Sequence, residues 1–138
     1  MYKTILLALE GVSSDRVIVE HVKFLAKFTQ SRVVLFHVER WTVCVQGQGA
    51  LYPGARDDME YLRKMQSEFQ SAGIPAEFEL VYGDPTTEIV KRVRKGCDLV
   101  VMNRKSRPSL AEIFFGTTAS RVQDGTDAPV LLLTTRQM

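Results

Sequence analysis

An open, parallel α/β sheet of five strands with helices on both faces is the fold class this sequence predicts. Three observations carry that expectation. Apolar strand-like runs alternate with helix-like segments from one end of the chain to the other, in the order β-α-β-α-β-α-β-α-β, and that order implies parallel strands joined by right-handed crossovers. Several of the runs, "KTILLAL", "RVVLFHV" and "DLVVM", are almost continuously apolar, as expected of strands covered by helices on both faces. The 138 residues suit a single domain spanning 1–138, large enough to bury roughly two-thirds of the surface its unfolded form exposes.

Taken in order, "KTILLAL" is the first strand, and Ser13 or Ser14 then caps a helix that runs to about Gln30. At 100° per residue, Val17, Ile18, Val19, Val22, Phe24, Leu25, Ala26 and Phe28 fall on one broad arc of that helix. Arg16, Glu20, Lys23, Lys27 and Gln30 occupy the remainder, so the arc is expected to lie against the sheet, with His21 packed inside it. "RVVLFHV" is the second strand. The segment over 39–56 is irregular and Gly-rich, and a connection of that length is often functional or mobile. Within it, Trp41 and Tyr52 either anchor the loop or cover a ligand or partner.

A helix follows from about Asp57 to Ala72, with Met59, Leu62, Met65, Phe69 and Ala72 on one stripe and Gly73 as its stop. "AEFELVY" alternates, which suits a sheet edge better than its centre. "GDPTTEIVKRVRKG" reads as a turn into a helix, with Asp84 as N-cap, Pro85 at the first helical position and Gly96 as the stop. "DLVVM" is the fourth strand, a short helix is expected near Thr117 to Gln123, and "APVLLLTT" is the fifth strand. Open sheets of this kind bind ligands at the carboxyl ends of the strands, where strand order reverses.

Composition narrows the function classes. A net charge of +2 is too small to argue for attraction to nucleic acid or a membrane. No run of about 18 apolar residues marks a membrane helix, and the N-terminus reads as a strand, not a signal peptide. Cys44 and Cys97 lack CxxC or Cys/His ligand spacing, so both are read as free thiols in a reducing compartment, the cytoplasm. His37 ends the second strand near the expected crevice, but one histidine without ligand partners predicts no metal site. No catalytic set of Ser/His/Asp or Cys/His type is suggested. "GQGALYPG" does not link a strand to a helix, so it is no dinucleotide fingerprint, and Walker-A spacing is absent.

Three stretches taken together, "ILLALEGVSSDRV", "GDPTTEIV" and "DLVVMNRKSRPSLAEIFFGTTASRV…APVLLL", resemble the universal stress protein family over essentially the whole chain. The resemblance implies a Rossmann-like sheet of the adenine nucleotide α-hydrolase-like group, in the order 3-2-1-4-5. It also implies a site for an adenine nucleotide, ATP with Mg²⁺. Nucleotide-binding members carry G-x2-G-x9-G-[S/T] after the fourth strand. Laid on this sequence, the motif falls on Asn103, Ser106, Gly116 and Thr117, so its spacing is kept while two of its three glycines are replaced. A further serine of the family pattern falls on Ala119, and the aspartate usual at the end of the first strand is Glu10.

Glycine lets the backbone approach a polyphosphate and take φ > 0 without a Cβ penalty. Asn103 tolerates left-handed geometry better than most residues, whereas Ser106 does not. Gly116 and Thr117 keep a helix start that favours an anion, and Arg104, Lys105 and Arg107 add positive charge, unless they form an ordinary solvated loop. By the resemblance, Ala8 and Glu10 border base and ribose, and Val38 packs near adenine. Met102 and Asn103 line the crevice, while Ser106, Gly116, Thr117 and Thr118 face phosphates with Arg104. It implies a homodimer as well, through the uncharged edge strand Val130, Leu131, Leu132, Leu133 and Thr134. The functional expectation is a binding or signalling module of the stress response. The alternatives are a dimeric protein-interaction module without nucleotide, or a slow ATP hydrolase or nucleotidyl transferase.

Overall fold

A computed structural model describes residues 2–11, 15–39, 42–43, 50–51, 55–104 and 118–134. Along these the elements are β1 (Thr4–Leu9), α1 (Asp15–Thr29), β2 (Arg32–Glu39), β3 (Thr42–Val43), β4 (Ala50–Leu51), α2 (Ala55–Ser71), β5 (Ala76–Tyr82), α3 (Pro85–Val93), β6 (Leu99–Arg104), α4 (Thr118–Gly125) and β7 (Val130–Thr134). The main sheet has five strands in the order β5-β2-β1-β6-β7, and every pairing in it is parallel. This is the expected 3-2-1-4-5 arrangement, with "AEFELVY" at an edge. Part of the 39–56 connection is regular after all: β3 and β4 form a small antiparallel ribbon, Thr42 opposite Leu51 and Val43 opposite Ala50. Trp41, Tyr52 and Cys44 lie outside the described residues, as do Ser13 and Ser14, the expected caps of α1.

The apolar strands separate two cores. On one face Ile5, Leu7, Leu9, Val33, Leu35, Leu99 and Val101 pack against α1 and α2. On the other, Leu6, Ala8, Val34, Phe36, Val100 and Met102 pack against Ile89 and Val93 of α3 and Val122 of α4. The alternation follows from the two-residue period of a strand, and the absence of polar side chains follows from burial on both faces.

α1 corrects the sequence reading. Ile18, Val19, Val22 and Ala26 are buried, but Val17 is 45% exposed, Phe24 76% and Phe28 81%, and His21 is exposed as well. A helix lying on a sheet is covered along one side only, so the i, i+4, i+8 row of Ile18, Val22 and Ala26 is buried and the flank of the wider arc faces solvent. Arg16 of α1 donates to Glu68 of α2 at 2.7 Å, with Lys23 at 3.5 Å from the same carboxylate, which ties the two helices together across their solvent side. α2 buries Leu62, Met65 and Phe69 of its expected stripe. α3 starts as expected: Asp84 caps it by accepting from Thr87 N at 3.0 Å, and Pro85 opens the first turn.

Candidate functional site at the carboxyl ends of β1, β2 and β6

Strand order reverses between β1 and β6: the chain leaves β1 toward β2 and β5 on one side, and β6 leads to β7 on the other. Ile5, Leu6 and Leu7 pair with Leu99, Val100 and Val101 in parallel, so the carboxyl ends of both strands lie side by side at one end of the sheet. One residue past this register come Ala8 and Met102, both buried in the core beneath α3 and α4. Val38, half-buried at the end of β2, packs against that same core. Asn103 follows Met102 half-buried, and Glu10 is exposed just past β1. Five of the expected site residues therefore gather on adjacent strand ends. Arg104 is the last residue of β6 and Thr118 the first of α4. Ser106, Gly116 and Thr117 lie outside the described residues.

The loop after β1 is organised by a residue the sequence reading did not single out. Asp15, at the start of α1, is fully buried. Its carboxylate accepts from Glu10 N at 3.1 Å, from Gly11 N at 2.7 Å and from the Tyr61 hydroxyl of α2 at 2.7 Å. Burial pushes the Tyr61 phenol well up from its ordinary value, and the hydrogen bond to Asp15 adds to the shift. Gly11 has φ +80, a conformation a Cβ disfavours. A Cβ there would also lie 3.2 Å from His37 Cε1. An aspartate six residues after a strand was the signal available, but such a residue is more often an exposed helix-start acid.

His37 stands beside that glycine, its side chain only 6% exposed. Its Nδ1 is 2.8 Å from the Leu9 carbonyl oxygen, which can only accept, so Nδ1 carries the hydrogen. Nε2 then faces two carboxylates, Glu39 Oε2 at 3.5 Å and Asp58 Oδ2 at 3.6 Å. The expectation that His37 has no ligand-type neighbours is corrected: Asp58 comes from the first turns of α2, a relation between elements that sequence spacing does not reveal. Donor atoms of the three residues lie within 4.8 Å of one another. The Asp58 carboxyl beside it, and then burial, push the Glu39 carboxyl above its ordinary value. Cys97 is a free thiol whose pKa burial raises, so it is no activated nucleophile.

Residues 1–134 match the model of the Universal stress protein family. The chain is 26% identical to a universal stress protein of Methanocaldococcus jannaschii, with 96% of this chain and 95% of that protein covered. A universal stress protein solved in complex with cAMP superposes with a TM-score of 0.76 at 19% identity, covering 98% of both chains. One from Archaeoglobus fulgidus in complex with dAMP gives 0.67 at 18% identity, covering 95% of this chain and 97% of that one. No helix among the described residues is long and apolar enough to cross a membrane.

Proposed function

The chain belongs to the universal stress protein family, and from that premise we propose that it is a cytoplasmic, dimeric stress-response module that binds an adenine nucleotide in the cleft between β1 and β6. The observation that carries this reading is the parallel pairing of those two strands at the point where sheet order reverses, the position at which open α/β sheets take ligands. Relatives of this fold in complex with cAMP and dAMP support an adenine-containing ligand. In the proposed mode Ala8, Val38 and Met102 form the apolar wall for the base, a surface without polar competitors for stacking and packing. Glu10, exposed at the start of the loop after β1, accepts from ribose hydroxyls.

Asn103, in the place of the family's first phosphate-loop glycine, lines the crevice with Met102, while Ser106, Gly116, Thr117 and Thr118, with Arg104, face the phosphates of ATP with Mg²⁺. Substituting glycines by Asn103 and Ser106 adds side chains where backbone would approach the phosphates, which predicts weaker binding than an intact loop gives. The same substitutions favour a second reading, a dimeric interaction module without nucleotide. Mass spectrometry of the purified protein after denaturation tests the choice. Release of an adenine nucleotide supports the first reading; its absence, with no binding of labelled ATP and Mg²⁺ up to millimolar concentration, favours the second.

The proposed dimer forms through β7. Among the described residues that strand pairs with β6 alone, Leu131 is exposed, and "VLLLT" offers no charge to deter pairing with a second copy. Sedimentation at micromolar concentration is expected to show a dimer that Leu131→Lys shifts toward monomer; a monodisperse wild-type monomer would rule it out.

A further inference from the structure

We propose that His37, Glu39 and Asp58 form a binding site for a divalent transition metal of the Zn²⁺ class. The first argument is the tautomer. Because the Leu9 carbonyl oxygen takes the Nδ1 hydrogen, a neutral His37 presents the Nε2 lone pair to the two carboxylates. With both carboxyls ionised, three electron-rich donors facing one another repel unless a proton or a metal cation lies among them. Backbone-fixed Nδ1–H is also the usual way a protein orients a metal-binding imidazole.

Distances give the second argument. Donors at about 2.0–2.2 Å from a tetrahedral Zn²⁺ sit about 3.4 Å from one another. Nε2 is 3.5 Å from Glu39 Oε2 and 3.6 Å from Asp58 Oδ2. Third, the side chain of His37 is only 6% exposed, and its Nε2 is aimed into the cluster. Asp58 Oδ2 is likewise shut off from solvent with no hydrogen-bond partner. An unpartnered buried carboxylate oxygen is costly, and a coordinated cation removes that cost.

An imidazole in the donor set favours Zn²⁺ and its neighbours over Mg²⁺ or Ca²⁺, which prefer all-oxygen shells. Two carboxylates balance the charge of a divalent ion, and the fourth tetrahedral position is left for water. The site is distinct from the nucleotide cleft. His37 follows the α1/α2-facing series Val33 and Leu35, whereas Val38 belongs to the α3/α4 core, so the proposal does not depend on nucleotide binding.

The test is titration of ZnCl₂ into tag-free, metal-stripped protein without nucleotide and with thiols kept reduced, against a competing chromophoric chelator. One equivalent should bind per chain, and Co²⁺ in its place should show the intense visible bands of tetrahedral coordination. Asp58→Asn and Glu39→Gln should each weaken Zn²⁺ by at least about tenfold, since loss of even an outer-shell partner of a ligand costs about that much, with unchanged circular dichroism. His21→Gln, at an exposed histidine outside the cluster, should bind as wild type, and MgCl₂ should not compete. Failure of the wild type to bind a stoichiometric ion would overturn the proposal. So would undiminished binding by Asp58→Asn, or loss of binding in His21→Gln.

Discussion

Replacing Asp15 by asparagine should cost about 3 kcal/mol of folding stability, although it changes one atom and almost no volume. Oδ1 accepts from Glu10 N, while Oδ2 accepts from both Gly11 N and the Tyr61 hydroxyl. An amide has one oxygen. If that oxygen takes the Oδ2 place, its NH₂ faces Glu10 N–H, and that donor loses this acceptor. The opposite flip sets the NH₂ against Gly11 N–H and is worse. A hydrogen bond to a charged acceptor contributes roughly 1.5–3 kcal/mol and a neutral one roughly 0.5–1.5 kcal/mol. Losing one charge-assisted bond and weakening the other two therefore gives about 3 kcal/mol. For a chain of this size that lowers the melting temperature by about 9 °C. Tyr61→Phe, which removes one donor and leaves the loop amides paired, should cost about half as much. Urea denaturation followed by circular dichroism measures both. A loss below about 1 kcal/mol for Asp15→Asn would refute the claim that this carboxylate holds the β1–α1 loop to α2.

Three further outcomes are expected. Gly11→Ala should lose about 1–2 kcal/mol in the same assay, since φ +80 disfavours a side chain and the new Cβ meets His37 at 3.2 Å; no loss would mean the loop relaxes freely. The hydrogen bond from Arg16 holds the Glu68 carboxyl below its ordinary value of 4.5. A depressed carboxylate pKa contributes stability above the unfolded value that is lost as pH falls through the folded one. Wild type should therefore exceed Glu68→Gln by up to about 1 kcal/mol at neutral pH, with the difference vanishing in strong acid and shrinking in high salt. Phe24→Ser with Phe28→Ser should change stability by no more than about 0.5 kcal/mol, because both rings are exposed; a loss of several kcal/mol would show that they are packed.

Much of the architecture was readable because its cause is local. Continuous apolar runs identify strands covered on both faces, and "GDPTTEIV" encodes a cap, a proline and a first turn in adjacent residues, all of which the structure shows. α1 was read too broadly because periodicity reports which residues are apolar, not how wide a strip the sheet covers. Val17, Phe24 and Phe28 carry the same signal as Ile18 and Val22 and end in solvent. The ribbon of β3 and β4 has only two residues in each strand, too few for a period-2 pattern to register. The positions of Ala8, Val38 and Met102 near strand ends could be read because strand ends are predictable. The contacts of Asp15 with Tyr61 and of His37 with Asp58 could not, since each joins elements whose separation along the chain carries no information about their distance in space.

The central claim is that adenine nucleotide binds where β1 and β6 end together. Amide chemical shifts recorded during titration with ATP and Mg²⁺ test it most directly. Perturbations should concentrate at Ala8, Glu10, Gly11, Val38, Met102 and Asn103 and saturate with one nucleotide per chain. Shifts centred on another face, or none up to millimolar nucleotide, would contradict it.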